Sequence, residues 1–381
     1  YVRLVEFGPL RIQFPVDARD VRRDLQLHRL RRRQLPRSEY LQVYRRCQTP
    51  ALPHPAAGGG GGAAAPSRPQ PPPGATTATG ELTVAAAGIT AANTVFLVGG
   101  IGGAGSLTTV GDVSGTSVTL AGRDGVSLGG DVNASGLLSL ETLDAAINQT
   151  GGTIMAGGIT SISTGTGAVT LTQVTNDFVG VVNISGGATT IADANALTLG
   201  TLAVGDVTVD SNGALNLGGG SIAGNLDANS TNGDITQTAA LTVGGSSTLA
   251  AGTGAITLAN AANDFVGVVN VTGGNTTIAD ANALTLGTLA VGDLTVDSNG
   301  ALNLGGGAVT GNLDANSTNG DITQTAALTV TGSSMLAAGT GAITLANAAN
   351  DFVGTVNVTG GNTTIADANA LTLGTLAVGD L

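Results

Sequence analysis

Apolar residues fall at every second position over much of this chain. Val207-Thr208-Val209, Ala214-Leu215-Asn216-Leu217 and Ala255-Ile256-Thr257-Leu258 each alternate apolar with polar. A period of two marks a strand with one buried face. The strands are short and are separated by turn signals: SGG ending at Gly187, DSNG ending at Gly213, STNG ending at Gly233 and GTG ending at Gly254. Glycine supplies positive φ at such corners and asparagine tolerates it. The series continues to Gly274, and its longest interval is the first, from Gly187 to Gly213. Corners at this spacing suit the coils of a parallel β-solenoid.

The pattern repeats. NDFVG occurs around Phe178, Phe265 and Phe352, each 87 residues from the last. One full unit covers 165–251 and a second covers 252–338, and they differ at 14 of 87 positions. A third, partial copy covers 339–381 and differs from the second only where Val268 becomes Thr355. Residues 81–164 carry a worn relative of the same pattern: INQTGGTIMAGG from Ile147 resembles ITQTAALTVGG from Ile235. With four turn signals per unit, the spacing predicts four coils per unit and about eight over 165–338. Stacked at ~4.8 Å, four coils advance the axis by roughly 19 Å. Leu215, Leu217, Ile256 and Leu258 are expected to point inward. Each NDFVG phenylalanine is expected to plug its own coil. Asparagines in ADANALTL (Asn195, Asn282, Asn369) and ALNLGGG (Asn216, Asn303) are candidates for amide ladders along the axis.

Composition divides the chain. Residues 1–80 hold 13 of the 14 Arg, both His, all three Tyr, the single Cys47 and all 11 Pro. The net charges are about +8 for 1–80 and −20 for 81–381, summing to −12. Segment 1–52 reads as a basic amphipathic helix or a disordered basic tail. Segment 53–80, with its Gly, Ala and Pro runs, reads as a linker. Trp and Tyr are absent after residue 80, which suits a narrow bore filled by small side chains. The acidity of the repeats argues against nucleic acid as a partner, because nothing there neutralises phosphates. No run of 18 apolar residues predicts a membrane-spanning helix.

Catalysis finds little material. Histidine, the commonest acid–base residue, is missing from the repeats. The candidates are aspartates four apart in GDVTVDSNG and its copy, Asp206 with Asp210 and Asp293 with Asp297. Each reads as a corner residue, with Asp210 bonding its own backbone in an Asx turn. A polysaccharide-processing enzyme would also need basic or aromatic platforms, and residues 81–381 offer only Arg123 and four Phe. The segment GGIGGAG (Gly99 to Gly105) has the glycines of a calcium-binding β-roll without its aspartate. Cys47, His28 and His54 make no zinc set. Asn229-Ser230-Thr231 and Asn270-Val271-Thr272 are sequons of a kind expected by chance in this composition. Thr198, Thr208 and Thr257 occur singly along their strands, which argues against an ice-binding face. The expectation is therefore a non-enzyme, with no catalytic, cofactor or metal residues.

GTGAITLANAANDFVGTVNVTGGNTTIADANALTLGTLAVGD, with NGDITQTAALTV between copies, resembles the β-strand repeats of filamentous-haemagglutinin-type bacterial exoproteins. The likeness covers 165–381 well and 81–164 weakly. It implies an all-β, right-handed parallel β-helix. It also implies a tandem-repeat adhesin, secreted or held at the outer-membrane cell surface by two-partner secretion or as an autotransporter passenger. The implied partners are a host-cell or matrix surface, its glycans, and an outer-membrane export pore. An inert stalk that presents another domain is the alternative; a β-helical polysaccharide enzyme is a more distant one.

Overall fold

The computed structural model describes Arg3–Leu4, residues 80–100 and residues 103–381. The basic segment 1–52, apart from Arg3–Leu4, and the linker 53–80, apart from Gly80, lie outside the described residues. Among those described there are strands and turns and no helix. The strands wind as a three-faced prism. Leu82–Val84 opens face I, Ile89–Thr90 opens face II and Thr94–Gly99 opens face III; Leu107–Thr109 then returns to face I. Pairing between successive coils is parallel on every face. Face I alone joins 14 strands in one ladder from Leu82–Val84 to Asp351–Phe352, giving about 14 turns. The one antiparallel pairing among the described residues is Arg3–Leu4 against Thr94–Gly99. The expected all-β parallel solenoid is present.

Alternation places the core. Leu215, Leu217, Ile256 and Leu258 are fully buried, as the period of two predicts. So are Phe178, Phe265 and Phe352, each 1 % exposed. A coil does not complete its own core. The stretch LTLGTLAV occurs at 284–291 and again at 371–378. In the first, Leu286 is 0 % and Leu289 2 % exposed; in the second, on the last coil, Leu373 is 38 % and Leu376 39 % exposed. The same side chains are covered only where another coil stacks on them, the nearest-neighbour stabilisation typical of solenoids.

The coil count per repeat differs from the sequence expectation. On face I, Val169 pairs with Thr189, Thr189 with Val207, Val207 with Leu226, Leu226 with Ser247 and Ser247 with Val269. Coil length varies along this series, shortest from Thr189 to Val207 and longest from Ser247 to Val269. The same series recurs one repeat later, but on face II: Ile256, Thr276, Leu294, Leu313, Ser334, Val356. From Val169, four coils reach Ser247, and the residue equivalent to Val169 lies one face beyond. Each repeat therefore spans four and one-third turns, not four. The cause is visible at the turns. Gly187 sits between faces III and I, whereas Gly213 sits between faces I and II, so the interval between them covers one and one-third coils.

The glycine corners also work differently from expectation. None of Gly187, Gly213, Gly233 and Gly254 has positive φ. Their role is close approach: a Cβ on Gly254 would overlap the Gly233 carbonyl, and one on Gly233 would overlap the backbone of Gly213 and Ala214. Positive φ falls instead on the first glycine of GTG, at 61°, 57° and 56° for Gly165, Gly252 and Gly339. At the STNG corner it falls on threonine, with Thr231 at 57° and Thr318 at 53°. A β-branched residue is strained there. Side chains hold it: the Thr231 amide donates to Asn229 Oδ1 at 3.0 Å, and its hydroxyl donates to the Ser211 carbonyl at 3.3 Å.

Truncating one plug phenylalanine should cost ~3–5 kcal/mol where the coil cannot collapse. Phe178 and Phe265 are about four coils apart, roughly 21 Å along the axis. Phe178→Ala and Phe265→Ala are therefore expected to add within about 0.5 kcal/mol. Chemical denaturation of the two single variants and the double variant, monitored by far-ultraviolet dichroism, checks this. An unchanged midpoint in either single variant would show that the rings do not support the core.

Candidate functional site

The side chains that recur with chemistry attached form three constellations. The first surrounds NDF. Its asparagine is completely buried in all three copies, at Asn176, Asn263 and Asn350. Asn263 bridges three coils. Its Oδ1 accepts from the Leu241 amide at 2.9 Å in the coil before, and its Nδ2 donates to Leu258 O at 3.0 Å and to Ala279 O at 3.2 Å in the coil after. The Gln237 amide pairs reciprocally with it, at 2.7 and 2.9 Å. Asn176 with Gln149, and Asn350 with Gln324, repeat the arrangement. An unpaired amide buried here would cost free energy; fully paired, it fixes the register of three coils at once.

The aspartate of ADAN completes this knot. The chain that follows Phe265 enters the shortest coil of its repeat, from Thr276 to Leu294, and the Phe265 amide is met by a carboxylate in place of a backbone carbonyl. In Asp280, Oδ2 accepts from Phe265 N at 2.7 Å and Oδ1 from Asn282 N at 2.7 Å. Asp193 does the same for Phe178 and Asn195, both at 2.7 Å, and Asp367 accepts from Phe352 N at 2.9 Å. Burial pushes the carboxyls of Asp193 and Asp280 above the ordinary carboxylate range, partly offset by those amide donors.

A β-bulge forms the second constellation. Val182 pairs with Leu199 but Ile184 with Leu202, so the longer strand carries one extra residue; Val269 and Val271 against Leu286 and Leu289 repeat it. The Thr201 amide freed by the bulge donates to Asn183 Oδ1 at 2.9 Å, and the Thr288 amide to Asn270 Oδ1 at 3.0 Å. Gly200 and Gly287 lie beneath these asparagines, where a Cβ would collide with the amide.

Corner acids and amides make the third. Asp206 Oδ1 accepts from the Asn225 amide at 2.7 Å, and Asn225 Oδ1 accepts from the Ser246 amide at 2.9 Å. Asp112, Asp131 and Thr153 are linked likewise, at 3.0 and 2.8 Å. Each short side chain grips a main-chain donor one coil ahead. Two of the four candidate aspartates, Asp206 and Asp293, sit at these corners; Asp210 and Asp297 lie within the strands Val207–Ser211 and Leu294–Ser298. Asp293 copies Asp206, accepting from Asn312 N at 2.7 Å. Asp210 and Asp297 are exposed, and each accepts from the Nδ2 of an asparagine in the next coil, Asn229 or Asn316, at 3.1 Å. Asp210 thus bonds a neighbouring coil rather than its own turn. The structure does not bring either pair together around a cleft.

The proposed asparagine ladders are not formed. Asn195 and Asn369 are exposed, and Asn216 turns outward to accept from the Gly218 amide at 2.8 Å. The buried asparagines are those of NDF, which the sequence reading passed over. Their signal was available: Asn followed by Asp-Phe, with a Gln in an NQT or TQT context one coil before, at Gln149, Gln237 and Gln324. Arg123 is exposed. No three His, Cys, Asp or Glu side chains converge on a possible metal centre among the described residues. Threonines do file across coils: Thr170, Thr190 and Thr208 on face I, and Thr236, Thr257, Thr277 and Thr295 on face II.

The profile of a family described as repeats of unknown function (DUF5649) matches residues 115–185, 204–272, 273–303 and 291–359, well over half of the chain. The chain belongs to this family. The DUF5649 match at 115–185 reaches into the worn segment upstream of Gly165, so a further copy of the repeat precedes the two full units. Three of the matches begin at Gly115, Val204 and Val291, the last residues of strands on faces II, III and I in turn. No curated protein and no solved structure matches the chain.

Asp280→Asn converts one of two acceptors into a donor facing a buried amide, and is expected to destabilise by ~1–3 kcal/mol. It should also speed hydrogen exchange at the Phe265 amide. The pH dependence has a definite sign. With its pKa raised on folding, the native carboxyl binds more protons than the unfolded one between the ordinary value and the raised one. Stability from this group falls as pH rises through that window and is flat above it. Denaturation series across acid pH, comparing wild type with Asp193→Asn/Asp280→Asn, should show that part of the slope vanish in the double variant.

Proposed function

We propose that this solenoid is the repeat rod of a large secreted or cell-surface bacterial adhesin, which attaches through an extended non-catalytic surface. The observation that carries the reading is the use made of the polar side chains. Asp193, Asp206, Asn225 and Asn263 bind backbone groups of adjacent coils, so the residue types able to do acid–base work act as fastenings between coils. The outward surface is a long field of threonine, serine, asparagine, aspartate and short apolar side chains, repeated coil after coil. Such a surface suits many weak contacts with a host-cell or matrix surface and its glycans, where valency supplies avidity. The family match supports a structural repeat protein, and the sequence resemblance to filamentous-haemagglutinin-type exoproteins supports the adhesive role and export through an outer-membrane pore.

The test applies the purified chain to host cells, matrix proteins and a glycan array. Saturable binding is expected. Asp210→Ala with Asp297→Ala should leave it unchanged, because both side chains are exposed and each holds one weak contact. Cleavage of a polysaccharide that the double variant loses would overturn the adhesin reading in favour of an enzyme. Failure to bind any of these surfaces by a folded chain would leave the inert stalk as the better account.

A further inference from the structure

We infer that the number of repeats sets the rotational phase of the rod: each repeat unit added or lost turns everything beyond it by one third of a turn about the axis. The three NDF strands show the step directly. Asp177–Phe178 pairs on face II with Ile154–Ala156; Asp264–Phe265 pairs on face III with Leu241–Val243; Asp351–Phe352 pairs on face I with Leu328–Val330. Identical sequence therefore points in three directions, one to each face of the prism. Each step also advances four and one-third coils, roughly 21 Å, and three steps bring the sequence back to its starting face after 13 coils, roughly 62 Å.

Local contacts do not resist this rotation. Residues 339–381 and 252–294 differ only at Val268 and Thr355, both exposed and outward. If 252–338 is excised, copy 339–381 meets copy 165–251 as 252–294 did, and every coil finds the neighbour it would have had. In a structure held by nearest-neighbour contacts, such a junction costs nothing new. What changes is only which way the distal coils face. The exposed valine of NDFVG makes the change visible at the surface. Val179, Val266 and Val353 are 69 %, 65 % and 61 % exposed, on three different corners. One flat partner lying along the rod meets this knuckle once in three repeats. Two sites on one side of the rod keep their common side only when repeats are inserted or removed in threes.

Val110 and Val353 provide a pair of reporters. Both are exposed, at 56 % and 61 %, and both follow face I strands, so they share a corner some 12 coils apart. The full chain carrying Cys47→Ser, Val110→Cys and Val353→Cys is labelled at both cysteines with desthiobiotin. Its dissociation from a flat layer of monomeric avidin is then recorded. Both tags reach the layer together, and dissociation should be at least tenfold slower than from either singly tagged chain. Excision of 252–338 should bring the rate to the single-tag value while far-ultraviolet dichroism still reports β-structure, because Val353 then occupies the corner of Val266. Inserting one extra copy of 252–338 should do the same, and inserting three should restore slow release although the tags are then farther apart. Slow release that persists in the one-copy insertion, or that fails to return with three, would overturn the inference. The insertion series decides the matter even if the excised chain fails to fold. None of these readouts depends on what the rod attaches to.

Discussion

The hydrogen bond from a main-chain amide in one coil to a carbonyl in the next fixes the distance between coils at one strand spacing, and every other feature conforms to that distance. Corners have to stack as closely as strands. That is why Gly213, Gly233 and Gly254 lie over one another where a Cβ would intrude on the backbone beneath. Where a coil shortens and the ladder fails to meet, a carboxylate from Asp193 or Asp280 substitutes for the missing carbonyl. Where a strand gains a residue, Asn183 or Asn270 accepts the amide set free. The polar content of the repeat is largely a set of repairs to a ladder that the varying coil lengths would otherwise break. Enclosing a carboxylate in this way makes it harder to ionise, and burial raises Asp193 and Asp280 above the ordinary carboxylate range.

Much of this was legible in the sequence. Alternation revealed the strands and their inward residues, because a period of two has one physical cause. Near identity of the copies revealed the repeat. The plug role of Phe265 followed from a single large ring in a chain of small side chains. Two things escaped. The turn signals were read as one series of corners, although Gly187 and Gly213 stand on different edges of the prism. A glycine reports that backbone comes close or turns, and says nothing about which edge it marks; the third of a turn was lost there. The second miss was the knot around Asn263. Single-file reading favours contacts between residues near in sequence, whereas Asn263 draws its partners from other coils, at Gln237, Leu241 and Ala279. Asp206 stands at a corner as read, whereas Asp210 falls inside the strand Val207–Ser211, and the partners of both lie one coil ahead rather than in their own turns.

Variation among the copies follows the same logic. Of the 14 differences between the two full units, those inside the prism exchange one aliphatic side chain for another: Val169 for Ile256, Ile184 for Val271, Val207 for Leu294, Ile222 for Val309. Those at the surface are freer, with Ala188 replaced by Asn275 and Thr248 by Met335. The buried fastenings, Asn263, Asp280 and their copies, stay the same. A repeat that must stack on a copy of itself can change its outward face cheaply, its core only in matched volume, and its inter-coil bonds hardly at all.

The strands of the described coils run across the long axis, and their hydrogen bonds run along it. Tension applied to the two ends therefore loads the bonds of successive coils in series, one coil at a time, rather than shearing many strands together. A coil that gives way surrenders about 5 Å of folded length and releases ~20 residues, roughly 65 Å of extended chain. The coil exposed next has the same strength as the one before, since the copies are nearly identical. Under pulling, the rod would lengthen as a tape unwinding at nearly constant force, absorbing work while its remaining coils stay folded.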